Sequence, residues 1–312
     1  MALYLGIDTS NYTTSVALFD SQTKNVIQKK KLLPVKPGEK GVRQSDAVFH
    51  HTMQIRELLP ELISGADISA VCVSVRPRSV EGSYMPCFTV GHTVAASVAA
   101  ALGVPLYEVS HQEGHITAAL FSAGRLDLAG KDFYAFHVSG GTTEFLKVAA
   151  GERCPITCEI IGASSDLHAG QAVDRVGLML GLDFPCGPEL EKLALLSSAD
   201  FPEIRASMNG ADCSLSGVEN KCGKMLDEGA AKEDIALYCL RYIEKSILGM
   251  QAALPDDGLP VVYSGGVMSN GILQKEIAEQ TNRETFFAAP EFSSDNAAGV
   301  AILGYLIGDK ND

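Results

Sequence analysis

One arrangement, strand then small polar turn then strand, occurs twice in this chain and restricts its fold more than any other feature. Residues 4–8 and 14–19 are apolar runs of strand length on either side of Thr9-Ser-Asn-Tyr-Thr13, and residues 133–138 and 144–149 flank Ser139-Gly-Gly-Thr-Thr143 in the same way. Short apolar runs alternate with longer amphipathic segments throughout, which marks an α/β protein. The repeat predicts two halves built on one plan. Their boundary is expected in the polar, glycine-containing connector 124–132, giving an N-terminal α/β lobe over 1–130 and a C-terminal α/β lobe over 131–312. Helices are predicted over 46–63, 91–102, 169–180, 188–196, 233–254 and 271–279, with a short buried strand over 261–264.

Three of the predicted strands end in small polar or glycine turns: Asp8-Thr-Ser10, Ser139-Gly-Gly-Thr-Thr143 and Ser264-Gly-Gly266. Glycine lets backbone N–H groups come close to phosphate oxygens, and hydroxyls add donors without bulk. Each turn alone is a common structural feature; together, beside Asp174 and the turn Pro185-Cys-Gly-Pro188, they point to a nucleotide site. Neither a P-loop nor a Gly-x-Gly-x-x-Gly motif is present, so the common fingerprints for those nucleotide folds are missing.

The second informative string is Ser110-His-Gln-Glu-Gly-His115, which follows an apolar run. Ser110 and Glu113 are in capping-box register, so a helix is predicted to begin at His111, and i, i+4 spacing places His111 and His115 on one face. Two imidazoles so placed can share a metal ion, or they can simply be surface or core side chains. Far downstream, Asp295 in Ser293-Ser-Asp-Asn-Ala-Ala298 is a candidate third ligand. Two neutral imidazoles and one carboxylate would leave coordination positions open for substrate. The neighbouring His50-His51 pair reads as a helix-face feature rather than a second metal site.

Composition limits the partners. The formal net charge of −13 opposes generic binding to nucleic acid. Between Lys24 and Arg43, however, seven basic residues face Glu39 alone, a local charge of 7 − 1 = +6. That segment is either an RNA contact or a hairpin edge kept soluble by lysines. The first residues carry no basic stretch ahead of an apolar core, and the weakly polar stretch 90–104 is shorter than the roughly 20 residues a bilayer requires, so a cytoplasmic protein without a membrane span is expected.

In order along the chain stand Gly6-Ile-Asp-Thr-Ser10, Ser110-His-Gln-Glu-Gly-His115, Val138-Ser-Gly-Gly141, Ala169-Gly-Gln-Ala-Val-Asp174, Leu180-Gly-Leu-Asp-Phe-Pro-Cys-Gly-Pro188, Cys213-Ser-Leu-Ser-Gly217, Ser264-Gly-Gly-Val-Met-Ser-Asn270 and Ser294-Asp-Asn-Ala-Ala298. This series resembles the tRNA threonylcarbamoyladenosine transferase family (TsaD) over nearly the whole chain. The resemblance implies two duplicated RNase H-like lobes of the actin, sugar kinase and heat-shock ATPase architecture, with the last helix, about 295–312, packing back on the first lobe. It implies transfer of the threonylcarbamoyl group from threonylcarbamoyl-AMP to N6 of adenosine 37 in tRNA. It also implies one divalent metal ion, iron or zinc, on His111, His115 and Asp295, and the adenylate bound by His137, Val138, Ser139, Gly140, Gly141, Asp174, Gly187 and Asn270. No residue is assigned as a catalytic acid, base or nucleophile. The implied partners are tRNA, with segment 24–43 as a candidate contact, and accessory subunits of the modification complex.

The chain departs from the family pattern at several places. Asn11-Tyr12-Thr13-Thr14 stands where the family has Cys-Asp-Glu-Thr, Arg76-Pro77-Arg78-Ser79 replaces a Gly-Pro-Gly turn, Gly-Gly-Thr142-Thr143-Glu144 replaces Gly-Gly-His-Thr-Gln, and Gln171 replaces a glutamate. This combination suggests a diverged paralogue. Two further readings therefore stay open: a nucleotide-binding scaffold that partners a true transferase, and a carbamoyltransferase acting on a small molecule.

Overall fold

The computed structural model describes residues 2–10, 12–34, 42–201, 203–293 and 297–309. These divide into two compact units, one drawn from residues 1–132, 148–158 and 294–312 and the other from 133–147 and 159–293. In the first unit β1 (Leu3–Ser10), β2 (Thr13–Asp20) and β3 (Val26–Leu32) form an antiparallel meander. After α1 (Gln44–Ile63), β4 (Ile68–Arg76) pairs in parallel with β1. After α2 (Phe88–Leu102), β5 (Leu106–Ser110) extends the sheet to the order β3-β2-β1-β4-β5. The helix α3 (His111–Ser122) begins at the next residue.

The second unit holds β6 (Phe133–Val138), β7 (Thr143–Ala149) and β8 (Thr157–Ala163), then α4 (Ala169–Met179) and α5 (Gly187–Ala194). A two-stranded ladder of β9 (Ser207–Asn209) and β10 (Asp212–Ser214) precedes α6 (Ser216–Asp227) and α7 (Lys232–Ala252). Then come β11 (Val261–Ser264), α8 (Gly271–Gln280), β12 (Thr285–Phe287) and the single turn α9 (Pro290–Ser293), and α10 (Ala298–Asp309) returns to the first unit. Read from its opposite edge, the second sheet runs β8-β7-β6-β11-β12. Three consecutive strands followed by two that pair after helical crossovers is the plan of the first sheet as well, so the repeated hairpins do mark two copies of one α/β architecture.

Strand β1 is covered on both faces. Leu5 and Ile7 join Val16, Val71, Val73, Ile55 and Val90 in one core cluster. On the other face Gly6 lies beneath α10, where a Cβ would sit 2.5 Å from Ala297 O and Ala301 N. Helix α10 also packs on α3 so closely that a Cβ on Gly299 would fall 1.9 Å from Gly114 O. These glycines allow two helices and a central strand to meet with backbone contact, and the contact brings the C-terminal end of β1 to the start of α3. Among the described residues no helix is long and apolar enough to cross a membrane.

In the second unit a stack of aromatic rings runs across four strands. Phe145 on β7 lies 4.0 Å from Phe136 on β6, which lies 5.3 Å from Tyr263 on β11, which lies 4.7 Å from Phe287 on β12, all nearly parallel. Each such pair contributes about 0.5–1.5 kcal/mol beyond its buried area. The Tyr263 hydroxyl donates to Gln251 Oε1 on α7 at 2.7 Å, so the stack is tied to the covering helix. Phe136 sits mid-stack with no exposure. Phe136→Ala is expected to cost about 3–5 kcal/mol in urea unfolding, and a loss under about 1 kcal/mol would show that the stack does not hold this sheet.

Candidate metal and nucleotide sites

The capping box predicted at α3 forms: Ser110 Oγ accepts from Glu113 N at 3.2 Å, and Glu113 Oε2 accepts from Ser110 N at 2.6 Å. The preceding loop is tied to the same turn, since Gln112 N donates to Pro77 O at 3.0 Å and Ser79 Oγ donates to Glu113 Oε1 at 2.7 Å. On the helix face, His111 Nε2 and His115 Nε2 stand 2.9 Å apart with ring centroids at 4.3 Å. The opposite edge of the His111 ring donates from Nδ1 to Asp8 Oδ2 at 2.6 Å. Two imidazole nitrogens that converge, one backed by a buried carboxylate, fit a borderline divalent metal such as iron or zinc. Asp295, the third expected ligand, lies outside the described residues. Among the described residues alone, no three His, Cys, Asp or Glu side chains converge as a ligand set.

Asp8-Thr-Ser10, read from sequence as a phosphate-holding turn, instead forms the end of β1, paired with Thr13–Ser15 of β2, and spends much of its polar capacity inside its own unit. Asp8 Oδ1 accepts from Ser10 N at 2.8 Å, and Thr9 Oγ1 donates to Cys87 O at 3.0 Å and accepts from Gly91 N at 3.1 Å. The Ser10 hydroxyl, by contrast, is buried and has no partner among the described residues.

His51, read as part of a helix-face pair, is completely buried. Its Nδ1–H donates to Thr14 Oγ1 at 2.8 Å, Thr14 Oγ1 donates to Gln54 Oε1 at 2.6 Å, and Gln54 Nε2 donates to Leu32 O at 2.9 Å. This relay fixes the neutral tautomer and leaves Nε2 buried without a partner among the described residues. Burial pushes the His51 imidazole down to about 4, against a smaller upward pull from Asp8.

In the second unit, residues far apart in sequence converge on a cavity of about 440 Å³. Of the expected adenylate contacts, Gly140, Asp174, Gly187 and Asn270 line it. His137 and Val138 are buried in β6, and neither they nor Ser139 and Gly141 belong to the lining. Gly265, at φ 96°, packs against the end of β6, where a Cβ would fall 2.2 Å from Val138 O. Gly170 at the start of α4 approaches the 139–141 turn as closely, its N–H donating to Ser139 O at 3.1 Å.

The polar groups of the cavity are partly committed. Asp174 Oδ1 accepts from Cys186 N at 2.9 Å while Oδ2 has no protein partner among the described residues, and burial holds the Asp174 carboxyl above its ordinary range. Asn270 Oδ1 caps α8 by accepting from Leu273 N at 3.1 Å, which leaves its amide N–H groups as donors. Two polar lining side chains were not anticipated: Glu191, which accepts from Gly271 N at 2.7 Å, and Ser269, whose hydroxyl is buried without a partner among the described residues. Ser269 adjoins Asn270 in the Ser-Asn pair of the glycine turn, so a signal existed. Glu191 carries none, being one of many helix glutamates.

The sequence model of the family "TsaD: tRNA N6-adenosine threonylcarbamoyltransferase" matches residues 23–302. This chain belongs to the TsaD family. Among solved structures, it is similar in fold to component A of the (R)-2-hydroxyglutaryl-CoA dehydratase of Acidaminococcus fermentans, with 16% identity over 98% of both chains and a TM-score of 0.57. A ROK family glucokinase from Streptomyces griseus matches at 12% identity over 97% of this chain and 99% of that one, with a TM-score of 0.55. HypF from T. kodakarensis matches at 13% identity with a TM-score of 0.58, over 98% of this chain and 47% of that one. These likenesses identify the shared architecture as that of the actin and sugar kinase group.

Tyr12 is exposed and Thr13 buried where the family places two acids, and Arg76 and Arg78 flank the Pro77 carbonyl that meets α3. In the basic segment, Lys24 Nζ lies 4.1 Å over the Tyr305 ring, Lys31 pairs with Glu57 at 2.9 Å and Lys29 pairs with Glu61. The acids of α1 thus offset part of the +6 charge, while Lys36, Glu39 and Lys40 lie outside the described residues.

The His51 environment sets a pH dependence. An unfolded chain takes up the imidazole proton near its ordinary pKa of 6.5, whereas the folded protein refuses it until about 4. The unfolded state therefore binds more protons in that window, and stability falls as pH drops from 6.5 to 4, by up to about 3 kcal/mol from this group. His51→Gln is expected to flatten that slope in urea titrations at pH 7, 5.5 and 4.5; an unchanged slope would contradict the assignment.

Proposed function

We propose that this protein transfers the threonylcarbamoyl group of threonylcarbamoyl-AMP to N6 of adenosine 37 in tRNA. The observation that carries the reading is the second-unit cavity, which gathers Gly140, Asp174, Gly187 and Asn270 from four separate segments around a volume suited to a nucleotide. Val173, Leu240, Val267 and Pro290 supply apolar wall for a base. Asp174 Oδ2 and the Asn270 amide are an acceptor and a donor suited to ribose hydroxyls, and the turn around Gly140 offers backbone close to a phosphate. Among the described residues the lining includes no lysine or arginine, so the cavity suits the nucleoside half of an adenylate better than a polyphosphate.

In the first unit, His111 and His115 with Asp295 would hold an iron or zinc ion. Such an ion polarises an acyl carbonyl and neutralises a departing phosphate when bound. The N6 nitrogen would form the new bond to the carbamoyl carbon as the bond from that carbon to phosphate oxygen breaks, AMP leaving with the electron pair and the amine proton passing to solvent. The chain's own residues would bind and orient both reactants, and such positioning can account for much of the rate. Cytoplasmic action with tRNA and accessory subunits belongs to this reading.

A second reading, a nucleotide-binding partner of a true transferase, is favoured by Tyr12 and Thr13 in place of the family's acids. Incubation with threonine, bicarbonate, ATP, the adenylate-forming enzyme and tRNA separates the two. The transferase reading predicts modified adenosine, while AMP binding without product under any partner set supports the partner role. Asp174→Ala is expected to weaken AMP binding about tenfold or more by calorimetry; unchanged affinity would place the nucleotide elsewhere.

A further inference from the structure

We infer that Asp8 is a positioning residue for His111, holding the ring as its Nδ1–H tautomer and turning a bare Nε2 toward His115. The inference rests on the metal reading proposed above. Asp8 is 1% exposed, on the central strand of its sheet, with β1 paired to β2 at Asp8↔Ser15 and to β4 through Ile7↔Val73. Its carboxylate cannot swing, because Oδ1 accepts from Ser10 N at 2.8 Å while Oδ2 faces His111 Nδ1 at 2.6 Å. A carboxylate only accepts, so the shared proton belongs to Nδ1 and the neutral ring carries its lone pair on Nε2.

The helix is as firmly held as the strand. The Ser110–Glu113 box, the Gln112 N to Pro77 O bond and the Gly114–Gly299 contact fix the first turn of α3, so neither partner can drift. Asp8 is not itself a ligand in this arrangement. It approaches the Nδ1 edge of His111, whereas His115 Nε2 converges on the other edge at 2.9 Å. Its effect is to fix the ring plane and raise the basicity of the ligating nitrogen.

The near-isosteric Asp8→Asn is a sharp probe because Ser10 N pins the oxygen of the side chain. The amide would then present N–H to His111 Nδ1, forcing the proton to Nε2 and removing the ligating lone pair. Zinc and iron(II) affinity, read by competition with a chromophoric chelator and by elemental analysis, is expected to fall 10- to 100-fold. Long-range proton–nitrogen NMR of the metal-free wild type, which requires no variant, is expected to show His111 protonated at Nδ1. A folded Asp8→Asn protein with wild-type metal affinity, or a wild-type His111 protonated at Nε2, would overturn the inference. Failure of the metal reading itself is distinct: the wild type would then bind neither ion, or would bind equally well after His111→Ala and His115→Ala.

Discussion

The hydrogen bond between Asp8 and His111 spans 103 positions of sequence and joins the end of the central strand to the start of the helix that carries both histidines. Most of the first unit's close packing serves this junction. Gly6 admits α10 to backbone contact with β1, and Gly299 with Gly114 admits the same helix to α3, so strand, helix and helix meet without side chains between them. A methyl group at Gly6 or Gly299 would meet backbone atoms and push apart elements whose registration the 2.6 Å bond requires. The polar ends stay together because the apolar and glycine-lined parts behind them leave no room to slide.

The second unit reaches the same end differently. Its sheet repeats the strand order of the first, but the covering helices leave a cavity where the first unit has a buried polar junction. The aromatic stack across β7, β6, β11 and β12 sets the sheet, and Gly170 and Gly265 let the 139–141 turn, α4 and the turn after β11 crowd together at one end of it. Duplication thus supplied one scaffold twice, and the loops and helix starts diverged into a paired-histidine site and a nucleotide-sized cavity. The departures from the TsaD pattern fall in both units, at residues 11–14 and 76–79 of the first and at 142–144 and Gln171 of the second.

Much of this was legible in the chain. Period-two runs bounded by small polar turns located both hairpins, and Ser110 with Glu113 located the start of α3, because those signals are local. Helix α6 carried a weaker signal, because half of Ser216–Asp227 is charged or polar and two of its residues are glycine. The role of Asp8 could not be read, since it depends on parallel pairing and on a helix a hundred residues away. His50 and His51 read as one helix-face feature because sequence spacing does not show which of two adjacent histidines turns inward toward Thr14 and Gln54. Glu191 was invisible for the same reason, its role being set by tertiary contact with the start of α8.

The other functional readings rest on the proposal that the first unit binds one metal ion between two imidazoles oriented from behind. Anomalous diffraction from crystals grown with iron(II) or zinc tests it most directly. A single strong peak is expected about 2.1 Å from both His111 Nε2 and His115 Nε2, with Asp295 completing the ligand set and Asp8 still on His111 Nδ1. A peak bonded to Asp8, a peak away from the histidine pair, or a loaded crystal with no peak there would contradict it.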